Sequence, residues 1–200
     1  MSKNIKILAL EGSVNKDSLS QKFLSKILEN VKNSESKVVN LNQEIFANSL
    51  LNQNNLSNFF ELNNSDKWIN LLKETNYLII SFPMINFTYP ATVKNFMDTI
   101  CVANKTFSYK YSKKGNAIGL LNNLKVILIS TQGAPEGWYP WGNPLAQLEG
   151  IWKFLGAKEV KTLLIDGTKI APNNTLSHEE ILKRYETKVL EITKNIKVEE

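Results

Sequence analysis

The run Glu11-Gly12-Ser13-Val14-Asn15-Lys16-Asp17-Ser18-Leu19-Ser20 sets hydroxyl side chains and a glycine directly ahead of an apolar stripe of helical spacing. Hydroxyls together with the unpaired N–H groups of a first helical turn make a seat for a monophosphate. The run lacks a terminal Gly-Lys-Ser/Thr and a three-glycine dinucleotide pattern, which argues against nucleoside triphosphate hydrolysis and against the usual dinucleotide fold. A Ser/Asp helix cap without any ligand is the competing reading. A second run, Ser81-Phe82-Pro83-Met84-Ile85-Asn86-Phe87-Thr88-Tyr89-Pro90, holds apolar and aromatic side chains between two prolines. Rigid apolar groups suit the face of a flat ring, and Asn86 with free backbone N–H groups suits its polar edge, although a plain buried loop would read the same way. The third run, Ser130-Thr131-Gln132-Gly133-Ala134-Pro135-Glu136-Gly137, has the small residues that let backbone approach a ligand, as a tight turn also does. The aromatics that follow it, Trp138, Tyr139 and Trp141 around Pro140, read either as a wall stacking on substrate or sealing a subunit contact, or as packing against the last helices.

All three runs follow segments that read as strands. Ile5 to Leu10, Lys37 to Leu41, Tyr77 to Phe82, Val126 to Ser130 and Val160 to Ile165 are short apolar or β-branched runs separated by helical patterns. Those around Leu78-Ile79-Ile80 and Val126-Ile127-Leu128-Ile129 do not alternate with polar residues, as expected of strands covered on both faces, so the sheet is parallel and doubly wound. In such a sheet ligands bind beyond the carboxyl ends of the strands, where the three runs fall. Apolar stripes at Leu19, Phe23, Leu24, Ile27, Leu28 and Val31, and at Val93, Phe96, Met97 and Ile100, predict helices that face the core. A further stripe from Leu145 to Leu155 stops at Gly156. The last helix opens on Ser177 and Glu180 spaced as a capping box and carries Ile181, Tyr185, Val189 and Ile192 inward. Between Asn42 and Ser65 the chain reads as short helices and loops rather than a linker, and residues 1–200 read as one domain.

The single cysteine, Cys101, and single histidine, His178, leave no disulfide framework and no ordinary Cys/His metal site. Cys101 is expected as a small core residue, and His178 as part of a surface helix end without a functional role. The net charge is +5, but the lysines are dispersed, so no nucleic-acid partner is expected. Nothing in the sequence is long and apolar enough for a membrane span, and the N-terminus lacks a signal-peptide layout, so a cytoplasmic protein is expected.

Taken in order, Pro83-Met84-Ile85-Asn86-Phe87, Lys94-Asn95-Phe96 with Asp98, Thr106-Phe107-Ser108-Tyr109, Ser130-Thr131-Gln132-Gly133 and Phe154-Leu155-Gly156 resemble the FMN-dependent NADH-azoreductase family, relatives of NAD(P)H quinone reductases with a flavodoxin-like fold. The similarity spans nearly the whole chain. It implies an α/β fold with a five-stranded parallel sheet in the order 2-1-3-4-5 and helices on both faces. It also implies an enzyme that passes two electrons from NADH through bound FMN to quinones and aromatic azo compounds in a ping-pong cycle, as a homodimer with active sites at the subunit interface. By the same resemblance Ser13, Ser18, Leu19 and Ser20 hold the phosphate and ribityl end, Pro83, Met84, Ile85, Asn86 and Phe87 hold the isoalloxazine, and Thr131, Gln132, Gly133 and Ala134 flank its other edge. Substrate falls to Trp138, Tyr139 and Phe107. Three departures stand out: Ile85 where the family has an aromatic residue, Gln132 in place of an arginine, and a shorter first loop. Since the cofactor carries the redox chemistry, no catalytic acid or base is assigned, and backbone near Gly133 is the candidate for stabilising negative charge at the ring edge. The competing readings are an electron carrier binding the same cofactor, disfavoured by a pI of about 9.1, and a binding module of the same fold without flavin.

Overall fold

The computed structural model describes residues 4–110, 117–194 and 196–197. The strands are β1 (Ile5–Glu11), β2 (Ser34–Asn40), β3 (Tyr77–Pro83), the two-residue pair β4 (Phe107–Ser108) and β5 (Ile118–Gly119), then β6 (Lys125–Thr131) and β7 (Glu159–Ile165). Five of them pair in parallel in the order β2-β1-β3-β6-β7, while β4 and β5 form a separate antiparallel pair. Counting only the long strands, this is the expected order 2-1-3-4-5. The runs without polar alternation, β3 and β6, lie in the middle and are buried almost throughout. At the edge, β2 starts three residues earlier than its apolar run, at Ser34. Pairing of Ile5 with Ser34 recruits Ser34-Glu35-Ser36 through backbone alone, on a strand whose side chains mostly face solvent. It also stops before Leu41, because the Asn40 side chain accepts from Asn42 N–H and turns the chain.

The helices are α1 (Leu19–Asn30), the single turn α2 (Phe59–Leu62), α3 (Ser65–Glu74), α4 (Ala91–Ile100), α5 (Pro144–Phe154), α6 (His178–Arg184) and α7 (Glu186–Lys194). They cover both faces of the sheet. Phe23, Leu24 and Ile27 of α1 pack with Ile181, Val189 and Ile192 over Ala9, Ile79 and Ile129. On the other face Trp68, Val93, Phe96, Leu148 and Trp152 cover Leu8, Ile80 and Leu128. The asparagine-rich stretch forms two short helical turns, Leu41–Gln43 and Ile45–Asn48, before α2. Phe46 and Phe59 anchor it as fully buried residues, and buried Asn95 of α4 ties it down by donating to Phe46 O at 2.8 Å.

The last helical stripe is interrupted at Tyr185, between α6 and α7. The capping box forms as spaced: Ser177 Oγ accepts from Glu180 N–H at 3.2 Å, and Ser177 N–H donates to Glu180 at 2.8 Å. The Ser177 N–H holds the Glu180 carboxyl below its ordinary range. Helix α5 ends as its glycine implied, with Gly156 at φ +98. That glycine packs backbone to backbone on Gly119, where an added Cβ would collide with Gly156 N. Cys101 closes α4 half-buried, and burial pushes its thiol up to about 11. Among the described residues no helix is long and apolar enough to cross a membrane.

Candidate active site

Strand order reverses about β1, and the chain opens a cleft of about 430 Å³ beyond the carboxyl ends of β1, β3 and β6. That volume is ordinary for a small-molecule site, and the position is where open α/β sheets bind ligands. The first wall begins at Gly12, whose N–H donates to Ser81 O at 2.8 Å. A Cβ there would lie 2.5 Å from Val93 Cγ2, so only glycine lets the end of β1 close on α4. Beyond it, Asn15 N–H donates to Ser13 Oγ at 3.1 Å, and Asn42 donates to Ser13 O at 2.7 Å.

Ser18 occupies the N-cap of α1 with extended backbone, yet its hydroxyl makes no capping bond and sits 2.9 Å from Ser20 Oγ instead. The first-turn N–H groups of α1 therefore have no side-chain acceptor among the described residues, which leaves the positive end of the helix open to an anion. Ser18 and Leu19 line the cleft with Asn15 and Asp17, whereas Ser13 and Ser20 are buried behind the lining. The Asp17 carboxylate turns to Lys22 at 3.2 Å, and His178 Nδ1 stands 3.8 Å from it. The bond to Asp17 holds the Lys22 ammonium above its ordinary value.

The second loop is fixed by Met84 N–H donating to Thr131 O at 2.7 Å. Ile85 and Thr88 exchange both backbone bonds, at 2.8 and 3.1 Å, around Asn86 (φ 46) and Phe87 (φ 70). This is a two-residue turn with both central residues left-handed, a conformation that suits asparagine but rarely a bulky residue. Holding Phe87 there costs about 1–3 kcal/mol, of the kind that structures retain at ligand sites. Pro83, Met84 and Ile85 line the cleft, while Asn86 and Phe87 project from the tip into solvent. Phe87 packs on Tyr139 and Trp141, with ring centroids 5.1 and 4.7 Å away. These three rings form an exposed aromatic cluster, and Trp138 beside them in sequence is exposed as well, each at least 36% accessible.

From the third loop Thr131, Gln132 and Gly133 reach the cleft, and Ala134 stands outside it. The Gln132 side chain folds back, donating to Ala134 O at 3.0 Å. Tyr139 lines a second cavity of about 290 Å³ behind this loop, over the fully buried Ser130. Phe107 is elsewhere: its ring packs 5.1 Å from Phe154 at the far end of α5, about 16 Å of helix from the loop.

A fourth wall, which sequence reading missed, comes from the loop after β7 and the start of α6: Thr168, Lys169, Asn173, Asn174, Leu176 and His178. Backbone bonds bring it there, with Gln132 N–H donating to Ile165 O, Thr168 N–H to Gln132 O and Lys169 N–H to Gly133 O. Asp166 braces the junction by accepting from Glu136 N–H at 2.8 Å and from the Tyr185 hydroxyl at 3.2 Å. Burial, then the Asp166 charge, pushes the Tyr185 phenol up. The rule that ligands bind at strand ends could have flagged this loop, since it is next in line after the third. His178, expected on a plain surface, stands on the rim.

An uncapped helix end on one side and the rigid apolar Pro83-Met84-Ile85 segment on the other fit an elongated ligand with a phosphate at one end and a flat ring at the other. The lining offers seats and charge rather than a nucleophile paired with a base.

Residues 5–189 match the family model described as flavodoxin-like fold. The chain is 47% identical over 171 residues to an FMN-dependent NADH:quinone oxidoreductase of Malacoplasma penetrans, covering 86% of this chain and 81% of that one. It is 45% identical over 171 residues to the protein of the same description from Mycoplasmopsis pulmonis, covering 86% of each chain. Among solved structures, an FMN-dependent NADH-azoreductase from Bacillus anthracis in complex with FMN superposes with a TM-score of 0.78 at 21% identity, over 96% of this chain and 99% of that one.

Proposed function

The chain belongs to the flavodoxin-like fold family, and from that premise we propose that it is an FMN-dependent oxidoreductase carrying two electrons from NADH to quinones and aromatic azo compounds. The observation that carries the reading is the cleft itself. It sets the uncapped N-terminus of α1 opposite the fixed Pro83-Met84-Ile85 segment, in a chain nearly half identical to a named NADH:quinone oxidoreductase.

Bound there, FMN supplies the two-electron chemistry between NADH and the acceptor. The protein's part is placement. Ser18, Leu19 and the first-turn N–H groups of α1 take the phosphate, with Ser13 and Ser20 shaping the loop from behind. Pro83, Met84 and Ile85 hold one side of the ring and Thr131, Gln132 and Gly133 the other, while Asn86 and Phe87 form the turn that sets the second loop and Ala134 of the third loop stands outside the lining. The backbone link from Met84 to Thr131 fixes the spacing of the two sides. Phe87, Trp138, Tyr139 and Trp141 give flat acceptors an exposed aromatic stacking surface. No residue is needed as catalytic acid or base, because protons can come from solvent.

NADH and acceptor would enter the same cleft in turn, which is a ping-pong cycle. The exposed aromatic surface also suits a homodimer contact, and Phe107, which does not reach the cleft of its own chain, would meet substrate only from a second copy. Residues 1–200 act as one FMN-binding domain, and the site of action is the cytoplasm. The test is steady-state turnover of NADH with menadione: parallel double-reciprocal lines support the cycle, and intersecting lines refute it. Light scattering should give a mass near twice 22.7 kDa, and a monomer would refute the dimer.

A further inference from the structure

We infer that Lys169 is a positioning residue for the cofactor, placing an ammonium beside the ring edge of the site where it favours negative charge. The inference rests on the FMN reading above and adds a residue from the fourth wall to it.

Lys169 is the only lysine or arginine that lines the cleft among the described residues. Lys22, outside the lining, is committed to Asp17 at 3.2 Å and Glu179 at 3.6 Å. Lys169 has no carboxylate within ion-pair distance among the described residues, so its charge is available to a ligand.

Its backbone is fixed to the third loop. Lys169 N–H donates to Gly133 O at 3.0 Å, Thr168 holds Gln132 O through both N–H and hydroxyl, and Gly167 N–H donates to Ala134 O at 2.9 Å. Asp166 pins the start of this segment to Glu136 and Tyr185. The side-chain stem then lies across Gly133, where an added Cβ would sit 2.9 Å from Lys169 Cγ. Absence of a side chain at 133 is what lets the stem cross there. Gln132, the neighbouring polar side chain, carries no charge and is turned to Ala134 O.

These links tie Lys169 to the 131–133 side of the cleft, away from the α1 end that suits a phosphate. A cation there stabilises the more negative, reduced state of the bound group over the oxidised one. The residue is exposed, so water screens part of the effect and a moderate shift is expected.

The experiment is an anaerobic redox titration of FMN-loaded wild type, Lys169→Met and Lys169→Arg, with fluorescence titrations of FMN and riboflavin on each. Lys169→Met should weaken binding of the reduced relative to the oxidised cofactor about tenfold, which for a two-electron couple lowers the midpoint potential by about 30 mV. Lys169→Arg should stay near wild type, and Gly133→Ala, which displaces the stem without removing the charge, should shift the potential in the same direction as Lys169→Met. The preference for FMN over riboflavin should not change. An unchanged potential in a Lys169→Met protein that binds FMN overturns the assignment. So does a collapse of the FMN-over-riboflavin preference at constant potential, which would put the ammonium at the phosphate. If wild type takes up no FMN at all, the functional reading fails and this inference fails with it.

Discussion

Replacing Gly12 with alanine tests the contact that sets the first wall of the cleft. The new methyl would stand 2.5 Å from Val93 Cγ2, 3.2 Å from Ser81 O and 3.4 Å from Phe82 Cβ. Carbon atoms settle at about 3.5–4.0 Å, so one neighbour must yield by about 1 Å. Val93 cannot swing away: it is fully buried, and as a β-branched residue in a helix it has essentially one χ1 rotamer. Overpacking of this kind costs about 1–3 kcal/mol, which for a chain of this size lowers Tm by roughly 2–12 °C. FMN affinity should fall with it, because loop 13–18 leaves β1 at this point. Gly150→Ala is the control. Gly150 sits on the exposed side of α5 with nothing within 4 Å of its added Cβ, so alanine should stabilise by about 0.5–1 kcal/mol. Thermal unfolding of both variants, and of Gly12→Ala combined with Val93→Ala, decides the matter. The double variant should lose less stability than the two single losses summed. A Gly12→Ala protein as stable as wild type, or strict additivity with Val93→Ala, would refute the close approach of β1 to α4.

Asn86→Ala removes the polar tip of the second loop and a residue suited to φ 46; FMN affinity measured by fluorescence quenching should weaken, and unchanged affinity would displace this loop from the site. Asp166→Ala frees Glu136 N–H and the Tyr185 hydroxyl, and denaturant unfolding should show a loss of about 1–3 kcal/mol. Cys101 should alkylate about a hundredfold more slowly at pH 8 than an unperturbed thiol, since burial raises it from 9.0 to about 11. Because the folded state favours the neutral thiol, its contribution is complete below pH 9.0 and is lost as pH rises toward about 11. Cys101→Ala should flatten that part of the stability profile, and an unaltered profile would count against the cause given.

What the sequence made legible is what leaves an apolar signature. β3 and β6 are nearly continuous hydrophobic runs because both faces are covered, and the order of the sheet follows from the resemblance. At the edge the signature fades: Ser34-Glu35-Ser36 belongs to β2 through backbone pairing alone, so its side chains say nothing. The fourth wall was invisible for the same reason. Thr168, Lys169 and Asn173 are polar loop residues, and what carries them to Gln132 and Gly133 is main-chain hydrogen bonding across 36 positions, as from Thr168 to Gln132. Phe87 defeats local propensity outright, since nothing in its type suggests a left-handed turn. Spacing within motifs likewise does not give distance in space: Thr106-Phe107-Ser108-Tyr109 fits the resemblance, yet Phe107 lies at the opposite end of α5 from the cleft.

The most direct test of the account is an anaerobic absorbance titration of the FMN-reconstituted protein with NADH, followed by menadione. NADH should bleach the oxidised flavin band at ~450 nm, and the quinone should restore it. A protein that binds FMN but whose band NADH leaves untouched would contradict the account, and would make the chain an electron carrier on the same fold.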